Sequence, residues 1–279
     1  MRQTNLKDIN WEEMWRQNQI TGDPSENPGL SEEESYDFIA PLFKEWMVYD
    51  EYPSKLVERI IIKPEWSVLD IGCGTGAIAI PLARKARFVT AIDISTQMLK
   101  ILQIDSEKND LKNLHFRQLN WSDVTVGSDI QPHDVVIMSR SLGRMMNLRE
   151  SLMKANQAAS RYVYITAWGG GERKMNKGIM EALGQEYQDN PDYLYIINML
   201  AQTGIHPNVE QMSCSSKVVY PTITDALHNF QVFLRLSSSQ LGIAEAFLKD
   251  HLVKRDDGWY EIPDNNPVWS LIWWKTTSS

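Results

Sequence analysis

Cysteine is nearly absent from this chain: Cys73 and Cys214 are the only two in 279 residues. They lie far apart and lack metal-ligand spacing, so neither a disulfide framework nor a zinc site is expected, and the metal expectation is none. Long apolar runs are missing as well. No stretch approaches the roughly 20 residues of a membrane span, and Met1 to Asn10 lacks the apolar core of a signal peptide. A soluble protein of the reducing cytoplasm is the expectation. Positive charge is short too: 28 Lys and Arg stand against 36 Asp and Glu, a formal net charge of −8. That balance argues against a general nucleic-acid binder, because neutralising phosphates needs a basic face. Internal repeats and low-complexity tracts do not occur. What remains is ordinary globular composition, 43% hydrophobic and 23% charged, long enough for one large α/β domain with additions.

The most informative stretch is Val68 to Gly76, Val-Leu-Asp-Ile-Gly-Cys-Gly-Thr-Gly. Trp66 to Ile71 is apolar on both sides of the alternation, as in a parallel strand buried on both faces. Gly72, Gly74 and Gly76 then remove side chains at every second position, which lets the backbone turn sharply and approach a ligand. Ala77 to Ala86 reads as the following helix, its N-terminus aimed at the gap, with Pro81 near its first turn. Dinucleotide loops space their glycines as G-x-G-x-x-G; here the spacing is G-x-G-x-G, with an acid two residues before the first glycine.

Asp70-Ile71-Gly72-Cys73-Gly74-Thr75-Gly76 resembles the first motif of the class I S-adenosylmethionine-dependent methyltransferases. The resemblance covers Val68 to Ile165 well and the flanks poorly. It implies a doubly wound, mostly parallel seven-stranded α/β sheet of the Rossmann-like methyltransferase fold, with S-adenosylmethionine as cofactor. A second apolar run, Phe88 to Ile92, ends at Asp93, where the family places an acid for the ribose diol. The implied cofactor-binding set is Asp70, Gly72, Cys73, Gly74, Gly76, Asp93, Ile94, Met98, Asn120, Trp121 and Ser139. At Asn120-Trp121-Ser122-Asp123 the chain departs from the family's Asp-plus-small pattern for the adenine edge. Asn120 or Asp123 could accept from the exocyclic amine there, and Trp121 could stack on the base.

Along the rest of the chain, Asn10 with Glu13 caps a first helix carrying Trp11, Met14 and Trp15. Thr21 to Leu30 reads as a loop. Ser31 with Glu34 opens a second helix with a Phe38, Leu42, Trp46 stripe and a kink or break at Pro41. A short helix, Ser54 to Ile62, follows Pro53. Ser95 caps a helix to about Lys108, and Asn113 to Leu119 and Asp134 to Met138 read as strands. Asn147 with Glu150 caps the next helix, and Arg161 to Ala167 is the fifth strand. Residues 191–203 form a helix ending at Gly204, followed by strands Ile205 to Met212 and Val268 to Lys275. The domain expectation is a helical cap over residues 1–55, then a methyltransferase domain over 56–279 with helical insertions at about 168–190 and 222–253.

The functional expectation is methyl transfer to a small-molecule acceptor. The sequence lacks the Asp/Asn-Pro-Pro-aromatic motif of amino methyltransferases and a Pro-Cys nucleophile. Tyr49, Tyr52, Arg140 and Tyr195 are the candidates for acceptor binding, Arg140 as a clamp for a carboxylate or phosphate. No catalytic base is singled out, and His206, His228, Tyr49 and Tyr52 qualify by type alone. Two other classes stay open: an NAD(P)-dependent oxidoreductase, which shares the ribose-acid logic, and a non-catalytic S-adenosylmethionine-binding protein. Acceptor identity and oligomeric state are not legible.

Overall fold

The computed structural model describes residues 6–19, 32–143, 145–170, 173–187 and 192–276. The loop read at Thr21 to Leu30, Ser31 of the second capping pair and the side chains of Phe38 and Leu42 lie outside the described residues. Seven strands form the main sheet: β2 (Ser67–Ile71), β3 (Phe88–Asp93), β4 (Leu114–Gln118), β5 (His133–Ser139), β6 (Ala159–Trp168), β7 (Asn208–Ser213) and β11 (Val268–Lys275), in the order β4-β3-β2-β5-β6-β11-β7. The first five run parallel, and β11 is antiparallel to both β6 and β7. β2 reads Ser-Val-Leu-Asp-Ile and is buried at every position, as expected of a central strand covered on both faces. From β2 the chain first builds outward to β3 and β4, then returns to β5 on the other side. The strand order therefore reverses between β2 and β5, and a crevice opens at their carboxyl ends.

Helices cover both faces. One face carries α3 (Tyr52–Arg59), α4 (Ala79–Ala83) and α5 (Thr96–Lys108), whose Leu56, Leu82 and Leu102 are fully buried. The other carries α1 (Trp11–Gln19), α6 (Leu148–Ala158) and α8 (Asp192–Gln202), with Trp15, Leu152 and Met199 at 0% exposure. Asn10 accepts from the Glu13 N–H at 3.1 Å, as its spacing predicts. Asn147 makes no such bond to its helix. Its Oδ1 instead accepts from Arg16 at 3.0 Å, so a tertiary contact has taken the cap that local sequence offered. The helix after the glycine loop is also shorter than the Ala77 to Ala86 reading, five residues long.

A second sheet was not read from the sequence. β1 (Met47–Asp50), β8 (Ser216–Tyr220), β10 (Tyr260–Glu261) and β9 (Val253–Lys254) pair antiparallel in the order β1-β8-β10-β9. It packs with α7 (Lys174–Ala182), α9 (Ile223–Leu234) and α10 (Leu241–His251) around Trp46, Tyr220, Phe230 and Leu248. Strands of two to five residues carry too little alternation to register, and their partners come from distant stretches of chain. α2 (Glu32–Trp46) leads into β1 and runs through Pro41 without dividing. Among the described residues no helix is long and apolar enough to cross a membrane.

Candidate functional site

The glycine loop is locked to the end of β3. The Gly72 and Cys73 N–H groups both donate to the Ile92 carbonyl, at 2.8 and 3.0 Å, and the Gly74 N–H donates to Asp93 Oδ2 at 2.7 Å. All three glycines hold positive φ, +69°, +52° and +89°, where a side chain is strained. Space distinguishes them. A Cβ on Gly72 would lie 2.4 Å from Ser141 Cβ, and one on Gly76 would lie 2.3 Å from Leu102 Cδ1, so these two permit close packing. A Cβ on Gly74 would meet nothing within 4 Å: the loop leaves room above its middle glycine.

Two carboxylates flank that space. Asp70, 1% exposed, has no hydrogen-bond partner for either oxygen. Burial pushes its carboxyl up to about 7, the Asp93 charge adds to the rise, and the Ala79 N–H at the start of α4 opposes it. Asp93 is raised by burial, while N–H groups of Ser95, Gly74 and Ile94 pull the other way. Its Oδ1 accepts from Ser95 at 2.9 Å. Cys73 is buried, and the two carboxylates add to the burial that pushes its thiol far up, so it is no nucleophile at neutral pH. Ile94 is half-buried; Met98 is buried in α5, its N–H on Ser95 Oγ at 3.1 Å and its side chain against Ala40 of α2.

Beyond β4 the chain turns through Asn120, exposed, with its Oδ1 on the Ser122 N–H at 3.0 Å. Trp121 is not available as a stacking platform. It is 4% exposed, its ring lies in the core against α6, and its Nε1 donates to the Ser151 carbonyl at 3.4 Å. An aromatic residue after a strand end reads equally as platform or core, and here the core holds it.

The other wall of the crevice begins at the end of β5. Ser139 Oγ lies 2.6 Å from the Tyr52 hydroxyl, which also bonds to Thr166 Oγ1 of β6. Tyr52 is fully buried, and burial pushes its pKa up to about 12. Arg140 sits at φ +55°, its N–H on Thr166 Oγ1 at 3.0 Å. Its guanidinium stacks 4.0 Å above the Tyr52 ring and pairs with Asp50 Oδ2 of β1 at 3.0 Å. Trp269 of β11 lies 5.5 Å from Tyr52, ring to ring, and 5.7 Å from Trp168.

Of the sequence candidates, the fold thus gathers Asp70, Gly72, Cys73, Gly74, Gly76 and Asp93 at one wall, and Ser139, Arg140 and Tyr52 at the other. It sets two apart. Tyr49 is 48% exposed, bonded to Glu51 at 3.0 Å, and Tyr195 is 7% exposed, edge-on to Trp15 at 6.0 Å. Asp37, Asp50, Ser141 and Thr166 join the site without having been singled out. Only the strand-end position of Thr166 was legible beforehand; the other three arrive through tertiary contacts.

Comparison with known proteins bears on this geometry. Residues 62–225 match a family model described as a methyltransferase domain. An uncharacterized protein of Haemophilus influenzae is 28% identical over 273 residues, spanning 96% of this chain and 97% of its own. Among solved structures, phosphoethanolamine N-methyltransferase 2 of Haemonchus contortus, bound to phosphomonomethylethanolamine and S-adenosylhomocysteine, superposes with a TM-score of 0.55 at 16% identity, covering 90% of this chain and 61% of that one. The [4+2]-cyclase SpnF superposes with a TM-score of 0.54 at 13% identity, over 88% and 95%. At such identity the superpositions show the fold alone.

Proposed function

Because this chain belongs to the methyltransferase-domain family and is an S-adenosylmethionine-dependent enzyme of class I, we propose that it transfers a methyl group to a small-molecule acceptor. The observation that carries the choice of cofactor is the sign of charge in the crevice. Helix N-termini favour anions, and dinucleotide sites use them for phosphates. Here the protein's own carboxylates take those places: Asp70 faces the Ala79 N–H of α4, and Asp37 and Asp93 lie at the start of α5. A pyrophosphate or 2′-phosphate would meet like charge. A cofactor bearing a sulfonium and an ammonium would meet opposite charge. The open space above Gly74 and the unpartnered Asp70 oxygens fit such a group.

In this reading the loop Gly72 to Gly76 and Asp93 hold the ribose side, Ile94, Met98 and Asn120 flank the base, and Ser139 faces the donor end. When bound, the cofactor supplies an activated methyl group, so the chain's task is to align the acceptor and exclude water. Tyr52 stays a neutral hydroxyl at physiological pH and can orient the acceptor through Ser139, but it is no base. Arg140 would have to leave Asp50 to clamp an anion, which favours an acceptor that does not need one. Of the aromatic cluster at this wall, Trp269 alone is only half-buried and offers apolar surface to a small molecule.

The test is a methyl-labelled S-adenosylmethionine incubation with cell extract. Label should move into the low-molecular-weight fraction. Label found in RNA or in precipitated protein would overturn the small-molecule reading.

A further inference from the structure

Helix α2 reaches the cofactor wall most directly through Asp37. Asp37 Oδ1 accepts from the Ser95 hydroxyl at 2.5 Å and from the Gln97 N–H at 3.1 Å, and its Oδ2 accepts from the Thr96 hydroxyl at 3.1 Å. Burial disfavours its charge, but these bonds and nearby Lys100 prevail and hold its pKa below the ordinary value. Ser95 is fully buried and bonded on every side: its Oγ also takes the Met98 N–H, and its own N–H donates to Asp93 Oδ1 at 2.9 Å. Asp93 Oδ2 takes the Gly74 N–H at 2.7 Å. An unbroken line of hydrogen bonds therefore runs from α2 through the first turn of α5 and the end of β3 to the glycine loop. A second contact supports the same placement, since Gln118 Nε2 donates both to Glu33 Oε1 at 2.9 Å and to the Ile94 carbonyl at 3.1 Å.

Without Asp37, the Gln97 N–H of the first helical turn and the Ser95 and Thr96 hydroxyls would lose their acceptor. Ser95 Oγ would keep the Met98 N–H, but the first turn of α5 would lose its anchor to α2, and the Ser95 backbone N–H that fixes one oxygen of Asp93 moves with that turn. We propose that Asp37 is a positioning residue for the cofactor: acting through Ser95, it sets the orientation in which the Asp93 carboxylate meets the ribose hydroxyls. The inference rests on the S-adenosylmethionine reading above. It makes a segment 56 residues before Asp93 in sequence a determinant of ribose recognition.

Calorimetry on the full chain tests it, with S-adenosylhomocysteine and its 2′-deoxy analogue as probes. Asp37→Ala should weaken S-adenosylhomocysteine about tenfold or more, and weaken the deoxy analogue far less, because the two deletions remove the same interaction. Asp37→Asn keeps an acceptor for the Ser95 hydroxyl and should recover affinity to within about threefold of wild type. Comparing two ligands on one variant cancels any general loosening of the fold. Equal losses for both ligands, or an unchanged affinity in Asp37→Ala, would overturn the proposal while leaving the cofactor reading intact. Wild-type protein that binds NAD and not S-adenosylhomocysteine would instead overturn the cofactor reading on which the proposal stands.

Discussion

At Asp70 the chain holds a carboxyl where water cannot reach it and the facing Ala79 N–H does too little to offset burial, an arrangement that costs stability once the group ionises. In the unfolded chain this group loses its proton near pH 4; in the folded, ligand-free protein it keeps it until about 7. Between those values the unfolded state binds fewer protons, so Asp70 lowers stability progressively as pH rises from about 4 to about 7. Asp70→Asn has no proton to lose. Its melting temperature relative to wild type should therefore be higher at pH 8 than at pH 4.5, measured without ligand. A difference independent of pH would mean that the carboxyl is ionised in the fold throughout. The acid was legible in the sequence from its place two residues before Gly72. Its lack of partners was not, since that depends on which groups the surrounding strands bring near.

At the scale of elements, α1 packs into the core of the main sheet. Trp15 is fully buried, donates from Nε1 to the Met145 carbonyl at 2.8 Å and lies edge-on to Tyr195 of α8. Trp15→Ala should cost about 3–5 kcal/mol, as large-to-small changes in cores do, read as a lower denaturant midpoint at unchanged m-value. A change under about 1 kcal/mol would place α1 outside the cooperative unit. The same tertiary contacts explain where local reading of elements failed. Ser95 caps α5 as its sequence suggests, because nothing competes for its Oγ as acceptor. Asn147 was an equally good local cap, but Arg16 of α1 took its side chain. β1 and β8 escaped notice because each is too short to show its period, and each pairs with strands far away in sequence.

The whole molecule carries a net charge of −8, and its crevice concentrates part of that charge at Asp70, Asp93 and Asp37. Calorimetry should rank S-adenosylmethionine or S-adenosylhomocysteine above NAD, and NAD above NADP, whose extra phosphate would meet the Asp93 and Asp37 carboxylates at the start of α5. NADP binding as tightly as S-adenosylhomocysteine would contradict this account of the crevice. The second sheet is joined to the main sheet through the Arg140 and Asp50 pair and the stack on Tyr52. It brings together strands from residues 47–50 and 216–220, more than 160 positions apart.

The sequence by itself determined the main sheet, the glycine loop and its flanking acids, because each rests on a short-range pattern: continuous apolar runs for buried strands, glycines where φ must be positive, a serine at a helix start. Tertiary structure alone decided the side chains that complete the site from afar. Asp37 reaches Ser95, Asp50 reaches Arg140, and Tyr52 reaches Ser139 and Thr166 across separations that no periodicity spans. It likewise decided that Trp121 and Tyr195 serve the core, since an aromatic ring satisfies either role until its neighbours arrive to bury it.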